Sequence, residues 1–328
     1  MCMKNKKYKG GLKAVMEKIS DEKVLYCPNP GNAGDSAIAT ATYQLFDKFG
    51  VRYHCVEWND DFDATEKIVV YGGGGNLVEK YPQARAFLER HHESAKHLVL
   101  LPHTIQGNTE LLNGFGDNTI LFCRERRSFE TAREHTDGPK IYLEDDLAFG
   151  LEPQALIGEE PFNGSEAIKR TCRNLVRSGL KRFASQRASI EPALPLRTAL
   201  GSSGRLVRSL IRRGRSVLYA FRTDKEGVMG PFPPTNVDPS LLFNYGVAPR
   251  SAAESATAAM LSFLNCYDRI VTDRLHGCIL AALLGKKVDF YANDYFKNES
   301  VYRFSMEEEF PNVNWCRKAE KRNVGKCF

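Results

Sequence analysis

Short apolar runs of strand length alternate with helical stretches from residue 20 to 150, and this alternation restricts the chain's fold more than any other feature. Val24 to Cys27, Tyr53 to Glu57, Lys67 to Tyr71, His97 to Leu101, Thr119 to Cys123 and Ile141 to Leu143 read as strands. Ser36 to Phe49, Pro82 to Ser94 and a segment ending near His135 read as the helices between them. Successive parallel strands need a crossover, and helical crossovers cover the faces of the sheet. The order therefore predicts an α/β fold with a parallel sheet covered on both sides.

The pattern returns after residue 216. Val217 to Phe221 reads as a strand and Ser251 to Asn265 as a helix. Tyr267 to Tyr291 then reads as strand, turn, helix and strand, with Gly285 closing the helix. Within it, Val271-Thr-Asp-Arg-Leu-His-Gly277 puts Arg274 and His276 where a strand hands over to a helix. Unpaired amides and the helix dipole favour an anion there, and the two side chains add donors of their own. The spacing fits equally a structural histidine beside a surface arginine.

Two stretches of the first part end in glycine. Gly31-Asn32-Ala33-Gly34-Asp35 follows the first strand, with Asp35 or Ser36 able to cap the next helix. Asp35 would also lie at the carboxyl end of a strand, where open α/β sheets bind ligands. Gly72 to Gly75 follows a buried strand and implies close approach of backbone to a ligand or to neighbouring backbone. It is not a dinucleotide fingerprint, because the third required glycine falls on Leu77.

Charge is unevenly spread. The chain carries +6 overall, yet residues 167–215 hold thirteen Lys or Arg and one acid, Glu191, which leaves −6 elsewhere. Apolar positions in that segment recur at helical spacing opposite the basic ones, as in two amphipathic helices. A solvated face and an anionic membrane surface both fit. One aromatic, Phe183, is too few for base stacking, so no nucleic-acid partner is expected. Nine scattered cysteines without a CxxC pair predict mostly buried, reduced thiols, and no metal site or secretory signal is expected. Cytoplasmic residence follows as the expectation.

Six stretches resemble the polysaccharide pyruvyl transferases in order and approximate spacing, over about residues 24 to 305. They are Gly31–Asp35, Gly73-Gly74-Gly75-Asn76-Leu77, Leu101-Pro102-His103-Thr104-Ile105, Cys123-Arg124-Glu125 with Ser128, Arg222-Thr223-Asp224-Lys225-Glu226, and Asp273–Gly277. His103 departs from the glutamine-like residue expected in that family, which leaves the role of its loop open. The resemblance implies two Rossmann-like domains facing across a cleft, similar to GT-B glycosyltransferases. They would span 1–160 on the acceptor side and 217–328 on the phosphoenolpyruvate side, with 161–216 as a basic helical insertion or linker.

It also implies transfer of a pyruvyl group from phosphoenolpyruvate to two hydroxyls of a sugar, with no cofactor. The acceptor would be a cell-surface polysaccharide or its lipid-linked precursor, which suits a peripheral position on the inner face of the membrane. Oligomeric state is left open. A carboxylate and a phosphate on one small frame call for arginine forks. Arg274, His276 and Asp35 are the expected catalytic groups. Arg222, Gly277, Arg124, Glu125, Gly73, Gly74, Asn76, Asn32 and Gly34 join Arg274 and His276 as expected substrate-binding residues. Arg124 and Glu125 could instead be an ion pair that holds a loop. A nucleotide-sugar glycosyltransferase on a similar scaffold is the alternative, although only Asp289 and Asp294 follow His276 as acids for a ribose.

Overall fold

A computed structural model describes residues 8–157, 173, 216–224, 226–227, 233 and 235–317. The basic segment 167–215 lies outside the described residues, Arg173 excepted.

The first part runs through helix α1 (Gly10–Ile19), strand β1 (Lys23–Cys27), helix α2 (Ala33–Phe49) and strand β2 (Arg52–Cys55). It continues with β3 (Ile68–Tyr71), β4 (Gly74–Val78), α3 (Gln83–His91), β5 (His97–Gln106), α4 (Thr109–Asn113), β6 (Thr119–Cys123), α5 (Arg126–His135), β7 (Lys140–Leu143) and α6 (Pro153–Leu156). These strands form a seven-stranded sheet in the order β2-β1-β3-β5-β6-β7, with β4 also against β5. Every pairing in it is parallel. The second part runs β8 (Val217–Ala220), α7 (Pro239–Leu242), α8 (Arg250–Asn265), β9 (Arg269–Thr272), α9 (Leu275–Leu283), β10 (Lys287–Tyr291), α10 (Lys297–Val301) and β11 (Val313–Cys316). Its strands make a parallel four-stranded sheet ordered β11-β10-β9-β8. The expected α/β architecture with parallel, Rossmann-like sheets is present.

The glycine run differs from a simple loop. β3 pairs with the first half of β5 (Tyr71 beside Leu100) and β4 with the second half, Gly74 beside His103 in the same register. β3 and β4 are thus one strand interrupted at Gly72 and Gly73, and β5 extends to Gln106 rather than ending at Leu101. Crowding explains the glycines. A Cβ on Gly72 would lie 2.6 Å from the Asn29 amide nitrogen, and one on Gly73 would lie 2.8 Å from the Pro102 carbonyl oxygen. Gly74 has φ +154°, a backbone conformation that side chains disfavour.

Several elements were not expected, and two of them extend the core and the sheet. In α1, Leu12, Val15, Met16 and Ile19 form a buried stripe at helical spacing. Near the charged tail, β11 adds to the edge of the second sheet by pairing with β10.

α2 and α8 bring the two sheets together. Both helices bury small residues, Ala33, Ala37 and Ala41 in one and Ala252, Ala253 and Ala256 in the other. Thr40 and Thr257 touch through their hydroxyls at 2.9 Å, and Ser36 Oγ and Tyr43 Oη donate to the carbonyls of Gly246 and Val247 at 3.0 Å. One apolar cluster runs through elements of both parts, from Leu12 and Phe46 to Leu261 and Phe290. The six described cysteines are free thiols, and Cys27, Cys123 and Cys278 are buried. Among the described residues, no helix is long and apolar enough to cross a membrane.

Candidate active site

A cavity of about 280 Å³ is lined from both sheets. Asn29 and Asn32 follow β1, Gly75 and Asn76 belong to β4, and Arg124 follows β6. From the other sheet come Arg222 and Asp224 after β8, Arg274 to His276 after β9, and Lys297 after β10. All but the β4 residues stand beyond the carboxyl ends of parallel strands. The helices α2 and α9 begin at the same wall, so their positive dipole ends face it.

The N-terminus of α2 is built as a reciprocal cap. Asn32 Oδ1 accepts from the Gly34 amide at 2.9 Å, and Asp35 Oδ2 accepts from the Asn32 amide at 2.8 Å. Asp35 Oδ1 also accepts from Asn29 Nδ2 at 2.9 Å. Burial pushes the Asp35 carboxyl up, although His276 and these donors pull it down. The cap residue is thus Asn32, three or four positions before the cap expected at Asp35 or Ser36, and Asp35 completes the cap from the third helical position while lining the cavity.

Arg124 is 1% exposed. Its Nε donates to Thr104 Oγ1 at 2.8 Å and its Nη1 to Asp146 Oδ2 at 2.7 Å. Its Nη2 points at Gly75, where a Cβ would lie 2.6 Å away. That last glycine of the run makes room for a guanidinium. Glu125 goes a different way. It is fully buried and caps α5, accepting from the Ser128 amide at 3.0 and 3.2 Å and from the Ser128 hydroxyl. The ion partner of Arg124 is Asp146, and Glu125 does not line the cavity.

Asp146 Oδ2 also lies 3.4 Å from His276 Nε2, so one carboxylate oxygen serves an arginine of the first part and a histidine of the second. Burial would raise the Asp146 carboxyl, but His276 and Arg124 outweigh it and hold it well below the usual carboxylate range. The other ring nitrogen of His276, Nδ1, faces Gly34 at 2.4 Å from where a Cβ would stand. Gly34 acts as a notch for the imidazole and does not line the cavity. Gly277 is buried in α9 against Arg274 and Thr272.

Arg222 and Arg274 are 5% and 3% exposed. Arg222 bonds Asp224 and Glu226, and Arg274 bonds Asp238 and Asp224. Glu226 also accepts from Lys297 Nζ at 2.9 Å and from the Tyr81 hydroxyl. Burial pushes Lys297 down to about 8, against the pull of Glu226. Asp273 accepts from the Arg222 amide at 2.7 Å through Oδ1, and its buried Oδ2 has no partner. Burial raises its carboxyl to about 6. His103 is buried with Nε2 beside the Asn76 and Leu77 amides at 3.2 and 3.3 Å, and burial lowers it to about 3, so it is neutral. It holds β4 in place and does not line the cavity.

Asn32, Asp35, Asn76, Arg124, Arg222, Arg274 and His276 thus meet at one cavity, while Gly34, Gly73, Gly74, Glu125 and Gly277 do not line it. Lys297, Asp146 and Asp238 were not anticipated. No signal marks Lys297 in its polar, aromatic stretch, and Asp146 shows only as one acid of three in Glu144-Asp145-Asp146. Among the described residues, no group of three His, Cys, Asp or Glu is arranged to hold a metal ion.

The family model for polysaccharide pyruvyl transferase matches residues 32–295. A Bacillus subtilis (strain 168) protein described as "Putative pyruvyl transferase EpsO" is 26% identical over 329 residues, covering 95% of this chain and 93% of that protein. A crystal structure of a functionally uncharacterized protein from Klebsiella pneumoniae subsp. pneumoniae NTUH-K2044 is similar with a TM-score of 0.67 at 27% identity. That likeness covers 93% of this chain and 95% of the other.

Proposed function

Because the chain belongs to the polysaccharide pyruvyl transferase family, whose members place a pyruvyl group on polysaccharide, we propose that its donor is phosphoenolpyruvate and its product a pyruvate ketal. The observation that carries this reading is the convergence of Arg124, Arg222, Arg274 and Lys297 on one cavity of about 280 Å³. Phosphoenolpyruvate has a carboxylate at one end and a phosphate at the other. Arg222 and Arg274 offer one cationic end, and Arg124 with Lys297 beside Gly75 offers another. A cavity of that size suits a small donor, and the polysaccharide would present its hydroxyls at the mouth.

The reaction begins with protonation of the donor's terminal methylene, for which His276 is the proposed acid. That carbon becomes a methyl group, and positive character develops on the central carbon. A sugar hydroxyl adds to the central carbon and loses its proton, and the C–O bond to phosphate then breaks. The second hydroxyl attacks the resulting oxocarbenium carbon and loses its proton, closing the ketal. Of the two protons released, one replaces the proton given to the methylene and the other leaves with phosphate. Asp35, whose carboxyl burial pushes up, is the proposed acceptor of hydroxyl protons. Asp146 orients the imidazole from behind.

The same reading takes 1–160 and 217–328 as two Rossmann-like halves of a GT-B-like arrangement, acceptor side and donor side respectively. The acceptor is a surface glycan or its lipid-linked precursor, and the basic segment 167–215 would hold the enzyme at an anionic membrane face. Flotation with anionic liposomes that survives deletion of 167–215 removes that last element. The central test is phosphate release from phosphoenolpyruvate that requires a sugar acceptor and is lost in Arg274→Ala and His276→Ala. Full activity in both variants would show that the reaction happens elsewhere. Thermal stabilisation by a nucleotide sugar and not by phosphoenolpyruvate would point to glycosyl transfer instead.

A further inference from the structure

Three carboxylates pair with the guanidinium groups of Arg222 and Arg274, and they are not equivalent. Glu226 and Asp238 have side chains 3% and 5% exposed, and each belongs to one arginine. Asp224 is 29% exposed, lines the cavity and is shared by both. Its Oδ1 accepts from Arg222 Nε at 2.8 Å, while its Oδ2 lies 3.2 Å from Arg222 Nη2 and 2.8 Å from Arg274 Nη2. It holds the position between two guanidinium forks that a carboxylate or phosphate oxygen of a ligand would take.

We propose that Asp224 is a displaceable counter-ion, an internal competitor that an incoming anion must turn aside in order to reach Arg222 and Arg274. This rests on the reading of the cavity as the donor site. The arrangement makes Asp224 the member that can leave. If it swings out, Arg222 keeps Glu226 at 2.5 Å, and Arg274 keeps Asp238 at 3.0 Å through Nε. Removing Glu226 would instead strip a partner from both Arg222 and Lys297. Loss of a buried partner is costly because the remaining charge is left uncompensated.

The backbone that carries Asp224 is fixed independently of its carboxylate. The Gly227 amide donates to the Asp224 carbonyl at 3.0 Å, and a Cβ on Gly227 would lie 3.0 Å from the Arg222 carbonyl oxygen. Rotation of one side chain therefore suffices, at the loss of a 3.2 Å bond from the Glu226 amide. Although burial opposes it, the two arginines hold the Asp224 carboxyl below its ordinary range, so it competes as a full negative charge at neutral pH.

Asp224→Asn keeps the size and the acceptor for the Glu226 amide but removes the competing charge. Calorimetric titration of the full chain with phosphoenolpyruvate, and separately with inorganic phosphate, should show dissociation constants at least about tenfold lower in the variant than in the wild type, since one unit charge at this range is worth more than 1.4 kcal/mol. Asp224→Ser, which shortens the side chain and also lacks the charge, should move the same way, with thermal melts confirming that both fold. Equal or weaker binding in both folded variants overturns the proposal and makes Asp224 a brace for the arginines. If the wild type and both variants bind neither anion, the donor-site reading fails and takes this inference with it. If an unfolded Asn variant left only Ser to measure, the direction of its shift would decide.

Discussion

His276 lies so close to Gly34 that a Cβ on the glycine would stand 2.4 Å from its Nδ1. The contact joins the first turns of α2 and α9, which belong to different sheets. Gly34→Ala tests whether that fit serves the reaction. Alanine gains up to about 1 kcal/mol of helix propensity over glycine, which helps the variant fold, so the cost falls on the imidazole. We expect kcat/KM for phosphoenolpyruvate to fall about 10- to 100-fold with a melting temperature within about 4 °C of wild type. An unchanged kcat/KM would remove His276 from the chemistry.

Lys297 gives a pH signature. Burial pushes its ammonium down to about 8, so its charge is present below that pH and lost above it. Affinity for phosphoenolpyruvate should weaken by up to about tenfold between roughly pH 7 and pH 9. In Lys297→Arg the guanidinium stays charged, and the decline should disappear. The check is the donor's dissociation constant across that range. The same decline in both proteins would assign it to another group.

Asp273 gives a signature in stability. Its folded pKa is raised to about 6 from 3.8, so its contribution is present below the unfolded value and is lost as pH rises through about 6. Asp273→Asn should remove that loss while its side-chain oxygen still accepts from the Arg222 amide. The wild type should lose on the order of 2 kcal/mol relative to the variant between about pH 4 and pH 7. Urea unfolding of both proteins at the two pH values reads this difference, and parallel pH profiles would contradict it.

Arg124 serves three directions at once, toward Thr104, Asp146 and Gly75. Lysine cannot reproduce that fork, so Arg124→Lys should abolish measurable turnover. Arg124→Met should cost about 3–5 kcal/mol of stability, because Asp146 would be buried without its closest cation. Adding Asp146→Asn to Arg124→Met should restore part of that loss. A double variant no more stable than the single would show that Asp146 needs no partner.

The legible part of the site was the part carried by strand ends. Arg124, Arg222 and Arg274 each follow a short apolar run, and the rule that ligands gather beyond strand carboxyl ends placed them together. Asp146, Asp238 and Lys297 were not legible, because nothing in their own neighbourhoods shows where the turns that carry them will pack. Asp224 and Glu226 stood in plain view beside Arg222, yet their service as its counter-ions depends on which way the side chain folds back. The glycine run illustrates the same limit. Its demand for close approach was readable, but the neighbours were the Asn29 and Pro102 backbone and the Arg124 guanidinium. By contrast, α1 was readable from Leu12, Val15, Met16 and Ile19 at helical spacing and was obscured by the lysines around it. The strand β11, with one buried residue of four, had no alternation to announce it.

The seam of α2 along α8 governs how the molecule comes apart. Its threonine contact, its carbonyl bonds and the continuous apolar cluster make the second sheet share its interior with the first, which keeps a further apolar cluster of its own around Val69, Leu98 and Leu121. The second part should therefore not survive cleavage from the first as an independent folding unit.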